Sequence, residues 1–381
     1  MKSLEVAKYL GTRFILAAVL LLPLLAGFTS PVAADDTTNN LRQAVFTITN
    51  ATDGNEVLVY QRSADGLLTF MASYPTGGMG TGAGLGSQGA VILRENGGRL
   101  FVVNAGSNDI SVFAVRRDRL ELLDVVDSGG EMPISLTLHG RILYVLNAGD
   151  SGNITGFRVR NNGKLVPLAG STQPLSNGGT GDSPQPAQIS FSRDGSLLVV
   201  TEKATNLIDV YQVENGMAGL PVSHPSAGMT PFGFAFGKRH DLIVSEAFGG
   251  APGASAVSSY NVDTDTFEVI SPSIGTTQTA ACWVLVSKNG KYAYATNAGS
   301  GSISSYRIEK NGAISLLEAQ AGLTGEGSSP IDMALSKNGK FLYALGTATG
   351  TINVFRTQTN GSLEPLGDIT VPEGAVGLAA R

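Results

Sequence analysis

Glu202 and Glu246 are the residues of this chain best suited to proton transfer, because each interrupts a run of asparagines at one point of a repeated segment. The aligned copies carry Asn50, Asn104, Asn147, Glu202, Glu246, Asn297 and Gly346 there. Asparagine at a strand end ordinarily bonds its own turn, so the asparagines have a structural reading beside a ligand-binding one. A carboxylate in the same place can act as a general base. Lys203 follows Glu202 and offers a cation to a developing oxyanion. In a continuing strand the two would face opposite sides, and only a turn starting at Glu202 would bring them together.

A second aligned layer holds Ala90, Ser135, Gln188, Gly233, Trp283, Asp332 and Gly377. Gln188, Trp283 and Asp332 are its informative members, two polar groups and one aromatic face suited to a polar, ring-shaped ligand. Trp283 also reads as core, and Asp332, beside Ser328 and Ser329, as a solvated turn. Gln88 in the adjoining glycine-rich run, with Asn104, Asn147 and Asn297, completes the candidate ligand-binding set.

These positions are set by a strand-turn-strand unit, clearest from Leu198 to Val213, in which β-branched runs flank a short polar link. The unit recurs at Ala44 to Arg62, Phe101 to Val115, Tyr144 to Val159, Leu242 to Val262, Ala293 to Ile308 and Leu342 to Thr357. An aromatic keeps its place in every copy, as Tyr60, Phe113, Phe157, Tyr211, Tyr260, Tyr306 and Phe355. A spacing of roughly 44 to 54 residues is that of propeller blades. The expectation is an all-β, seven-bladed β-propeller with four antiparallel strands per blade, the fourth strand of the clearest copy being a weaker one near Met217 to Val222. The first copy lacks an opening strand. Val376, Leu378 and Ala380 alternate as the other opening strands do, so the C-terminal strand is expected to pair into the N-terminal blade and close the ring.

Several functions are disfavoured. A net charge of -5 with 15% charged residues leaves no basic stripe for nucleic acid. The run from Gly77 to Gly89 lacks the Gly-Lys-Ser/Thr ending of a phosphate loop. His139, His224 and His240 show no metal-ligand spacing, so no metal and no cofactor are expected. Cys282 is the one cysteine, which excludes an internal disulfide and reads as a buried thiol. Lys8 and Arg13 precede an apolar run from Phe14 to Phe28, and Val32-Ala33-Ala34 offers a cleavage site. Residues 1–34 therefore read as a signal peptide and 35–381 as the propeller, secreted or periplasmic, with no stable membrane span after cleavage. An uncleaved anchor is the competing reading.

Phe191-Ser192-Arg193-Asp194-Gly195 leading into Leu198-Val199-Val200-Thr201, within the sevenfold layout, resembles the seven-bladed propeller lactonases, among them bacterial 6-phosphogluconolactonase and a fungal carboxymuconate-lactonising enzyme. Gly82 to Gly89, Gly181 to Gln188, Thr201-Glu202-Lys203 and Ala281-Cys282-Trp283 resemble a secreted, lactonase-like branch. The resemblance implies hydrolysis of a sugar-type lactone, with Glu202 and Glu246 matching the family's acidic positions. The family's His-Pro-His falls on Gln185-Pro186-Ala187 and its Pro-Arg-His on Pro231-Phe232-Gly233, so those histidines and the arginine are absent. Two functions follow: an exported, metal-free lactone hydrolase with Glu202 or Glu246 as base, or a noncatalytic propeller binding a small polar molecule, a carbohydrate or a protein partner.

Overall fold

The computed structural model describes residues 40–239 and 241–381, so the signal-peptide reading and His240 lie outside the described residues. The chain forms seven antiparallel sheets, six of them built from inside outward in sequence order and the first begun by the chain's last strand. In the fourth blade the strands are Pro186–Phe191, Leu197–Glu202, Leu207–Glu214 and Met217–Pro225. The expected weak outer strand is nine residues long, because its alternating exposed residues suit a sheet edge facing water. The third blade departs from the pattern: its fourth strand is only Leu165–Pro167, and Gln173–Pro174 adds a second short pairing to the third strand.

The second strands read as continuous apolar runs because neighbouring blades cover both faces; every residue of Leu197–Glu202 is buried. All seven repeated aromatics are at most 1% exposed. Their hydroxyls also tie blades to connections: the Tyr211 hydroxyl donates to the Pro174 carbonyl (2.9 Å), and Tyr260's accepts from the Ala227 amide (2.8 Å). At the opposite end of the blades the Asp/Asn-Gly turns are built alike. Asp194, Asn289 and Asn338 accept from a serine hydroxyl two residues earlier and a backbone amide two residues later. Gly195, Gly290 and Gly339 then take φ of 78°, 72° and 68°, a left-handed conformation that favours glycine.

The ring closes as expected. Val376–Ala380 is the innermost strand of the first blade and pairs with Ala44–Ile48, with Val45 opposite Ala380 and Phe46 opposite Ala379. Truncation before Val376 removes buried Val376, Leu378 and Ala379 and bares an edge strand. At about 1.5–3 kcal/mol per large apolar side chain, melting is expected to drop by about 5 °C or more, measurable by circular dichroism; an unchanged midpoint would show that closure contributes nothing. No helix among the described residues is long and apolar enough to cross a membrane.

Candidate functional site

The ends of the second strands and the starts of the innermost strands gather at one face of the ring. Five connections reach that face through a non-glycine residue with positive φ: Met132, Gln185, Thr230, Ala280 and Ser329. Each offers its carbonyl to the turn after a second strand, as in Lys203 N to Gln185 O (3.1 Å) and Ala247 N to Thr230 O (3.0 Å). Strain of this kind persists where surrounding bonds fix it. The face is therefore a stiff frame.

The side chains at the strand ends do not converge on a common hollow. Asn104 donates to Asp109 (2.5 Å) and Ser111 (2.7 Å), Asn147 to Asn153 (2.9 Å), and Asn297 to Ser302 (3.2 Å) and Ser304 (2.9 Å). All three are 0% exposed and hold their own blades together. Their placement in a ligand ring is thus corrected: the amide nitrogens are engaged within the sheets, while Asn147 Oδ1 and Asn297 Oδ1 are buried away from the channel without a partner.

Glu202 and Glu246 are also 0% exposed and point to separate seams between blades. Glu202 accepts from the Ser176 amide (3.0 Å) and hydroxyl (2.5 Å) and from Thr205 (2.6 Å). Glu246 accepts from the Ser258 and Ser273 hydroxyls, the latter at 2.6 Å, and a Cβ on Gly228 would strike its carboxylate. Burial raises the Glu246 pKa while those hydroxyls pull it back. The expectation that the two acids share one mouth is not met, because each turns toward the connection that precedes its own blade, Glu202 to Ser176 and Glu246 against Gly228.

Asp209 is a partner that the sequence reading missed. It is fully buried, accepts from Ser223 (2.5 Å), and lies within hydrogen-bonding reach of Glu202. Burial first, then Glu202, raises its pKa to about 8. The signal was available: equivalent third-strand positions carry Ser111, Thr155, Ser258, Ser304 and Asn353.

Lys203 takes the central position. The strand stops at Glu202, and the turn swings the lysine inward, where Nζ donates to Gly86 O (2.7 Å) and Pro186 O (3.1 Å). It sits 4.8 Å from the centre of the Phe232 ring, which lies 5.0 Å from Trp283. Burial lowers its pKa to about 8. Cys282 nearby is buried and its thiol is pushed up to about 12, which makes it inert near neutrality.

The run Gly82–Gly89 crosses this face as a strap. Asn50 grips its start, donating to Ala83 O (2.6 Å) and accepting from Thr81 N (3.0 Å). Trp283 Nε1 donates to Ser87 O (2.8 Å). Gln88 spans to the sixth blade, donating to Val284 O and accepting from Val284 N, both at 3.1 Å. Gln188 does the same for Phe234 in the fifth blade (3.0 and 2.7 Å). These amides satisfy the free inner edges of innermost strands, so Gln88, Gln188 and Trp283 close this end of the channel.

The open part of the channel, about 420 Å³, lies toward the opposite face, with Leu93, Glu95, Leu138, Lys288 and Leu335 among its lining. Asp332 lines it and is 2% exposed, so the solvated-turn reading is corrected. It occupies the layer of Gln188, and backbone amides of Met333, Leu378 and Gly89 act on its carboxyl. Burial nonetheless raises its pKa well above the usual range. A neutral carboxyl, like the Gln188 amide, can both donate and accept. Asp332→Asn is therefore expected to keep or raise the melting temperature, most clearly at alkaline pH. A loss of more than a few degrees would show that Asp332 is needed as a charge.

The family model described as "Lactonase, 7-bladed beta-propeller" matches residues 52–177 and 254–377. No curated protein matches the sequence. A putative 6-phosphogluconolactonase from Bacteroides fragilis NCTC 9343 has a TM-score of 0.68 at 20% identity, covering 91% of this chain and 99% of its own. A protein from Lactobacillus plantarum has a TM-score of 0.69 at 16% identity, with coverage of 89% and 99%. The periplasmic gluconolactonase of Pseudomonas aeruginosa has 0.62 at 17% identity, with 88% and 98% covered. At such identities the solved structures establish the fold. The unmatched interval holds Glu202, Lys203, Asp209 and Glu246, while the matched segments take in blades on both sides of it, and on that match the chain belongs to the seven-bladed β-propeller lactonases.

Proposed function

We propose that the protein is exported and opens neutral sugar-type lactones at the strapped face, with Lys203 as the electrophilic group. The observation that carries this reading is the lysine itself: a cation turned inward over Phe232 and held by two carbonyls. Water adds to the ester carbonyl, the oxyanion forms against Nζ, the ring C–O bond breaks, and the leaving alkoxide takes the proton that water gave up, yielding a hydroxy acid. Glu202, which faces a seam rather than the channel, is taken as the base because it adjoins Lys203, and exposed Thr205, which donates to it, offers a hydroxyl relay from solvent. Glu246 has a comparable route through Ser273, which donates to it (2.6 Å) and is only partly buried, so adjacency to Lys203 is what favours Glu202. Lys203 is a single positive charge, so a phosphate dianion is a poor substrate. Export rests on the Lys8 to Ala34 pattern and agrees with the periplasmic location in the name of one structural neighbour.

A second reading, a noncatalytic propeller that binds a small polar molecule, carbohydrate or protein, is favoured by the four carboxylate oxygens of Glu202 and Glu246, all of which already accept hydrogen bonds. Purified protein incubated with a panel of aldonolactones, with acid release followed by a pH indicator, separates the two. The hydrolase reading expects release that survives chelator and falls in Glu202→Gln at nearly constant melting temperature. No release from any lactone favours the binding module.

A further inference from the structure

We infer that the Gly86 carbonyl occupies the place of a ligand's carbonyl oxygen, so that the closed strap is a built-in competitor of the ligand. The inference rests on the proposed site and deepens it. Lys203 Nζ has two acceptors, Pro186 O in the rigid start of an innermost strand and Gly86 O in the strap. The first is framework and cannot leave without breaking the blade. The second belongs to a segment in which Gly82, Gly84, Gly86 and Gly89 alternate with other residues, a composition that lets backbone move at low cost.

Gly86 has φ of 56°, and a Cβ there would lie 3.3 Å from Lys203 Nζ and 4.0 Å from Phe232. Its backbone is thus pressed against the two side chains that would hold a flat ring. Ester and amide carbonyls are both acceptors, so one can replace the other on Nζ with no donor left unpaired. Displacement of Gly86 must also disturb the neighbouring bond from Trp283 Nε1 to Ser87 O. Binding and strap release are therefore one event, and the ligand is a small cyclic ester or amide that takes the place of Gly86 beside Lys203 and Phe232.

Trp283 is the sole tryptophan of the chain, so its emission reports the strap without labelling. The probe is D-glucono-δ-lactam, which presents the carbonyl but resists hydrolysis. In wild type, lactam is expected to shift the Trp283 emission to the red and to raise its quenching by acrylamide. Lys203→Met is expected to show that shifted state without lactam and no further response. Gly86→Ala, which crowds the latch while keeping Lys203, is expected to bind lactam several-fold more tightly by calorimetry. Lactam binding with unchanged emission overturns the competitor role and leaves the lactonase reading intact. Emission in Lys203→Met identical to wild type overturns the latch. If neither lactam binds nor any aldonolactone is opened, in wild type or Gly86→Ala, the proposed function falls and takes this inference with it.

Discussion

Replacing Lys203 with methionine is expected to lower kcat/KM for aldonolactones by about 100- to 1000-fold, the usual effect of removing one oxyanion donor. Methionine keeps much of the length and apolar stem of lysine and removes the charge, so the lost rate reports the ammonium. Burial is the cause of the lowered pKa of about 8, and the nearby titratable group is Cys282, whose thiol stays neutral to about 12. Below about pH 8 the lysine is a cation and can hold an oxyanion; above it the charge is lost. The sign follows: wild-type kcat/KM is expected to fall on the alkaline side of about 8, approaching tenfold per pH unit, while the residual activity of the variant lacks that limb. A rate that climbs through pH 8 would instead make Lys203 a base, and a variant with wild-type kcat/KM would remove it from the reaction.

The fold was largely legible in the sequence because a propeller repeats its instructions. Seven aromatics at one position, seven apolar second strands and a tail alternating through Val376, Leu378 and Ala380 each point to the same ring, and local and global signals agree. The direction of side chains at the strand ends was not legible. Whether Glu202 faces the channel or a seam depends on where the strand ends, and one residue reverses the side. Lys203 lies just past that end, and its inward swing depends on Gln185, whose carbonyl fixes the turn from a distant connection. The same limit hid the strap. Gly77 to Gly89 could be judged only by the phosphate motif it lacks, since its partners Asn50, Lys203 and Trp283 come from four different blades once the strap's own is counted. The family's histidines and arginine could be shown missing, but the contacts of Lys203 with Gly86, Pro186 and Phe232 follow only from the fold.

Asp209→Asn is expected to remove the Asp209 share of the fall in stability between about pH 4 and 8, to which buried Glu246 and Asp332 add in the same direction. The folded-state pKa of Asp209 is raised to about 8, by burial and then by Glu202, while an exposed aspartate titrates near the ordinary value of 3.8. Between those limits the folded chain keeps a proton that the unfolded chain has released. The Asp209 contribution to stability is therefore fullest below about pH 4, declines as pH rises, and levels off above about 8. At face value four pKa units would be about 5 kcal/mol. Relaxation and water penetration reduce this to on the order of 2–3 kcal/mol, which corresponds to a melting difference of several degrees. Blades two and six show why an uncharged partner fits: there the strand-end asparagines Asn104 and Asn297 donate to Ser111 and Ser304, the equivalents of Asp209, where blade four sets two acids together. An asparagine at 209 supplies an amide donor to Glu202 at every pH and keeps an acceptor for Ser223. Calorimetric scans at pH 5, 7 and 9 decide the matter. Wild type should lose several degrees across the series and Asp209→Asn less, with the two curves furthest apart at pH 9. Parallel curves would mean that Asp209 is ionised in the folded chain throughout, and that Ser223 and the surrounding seam stabilise two adjacent negative charges instead of one shared proton.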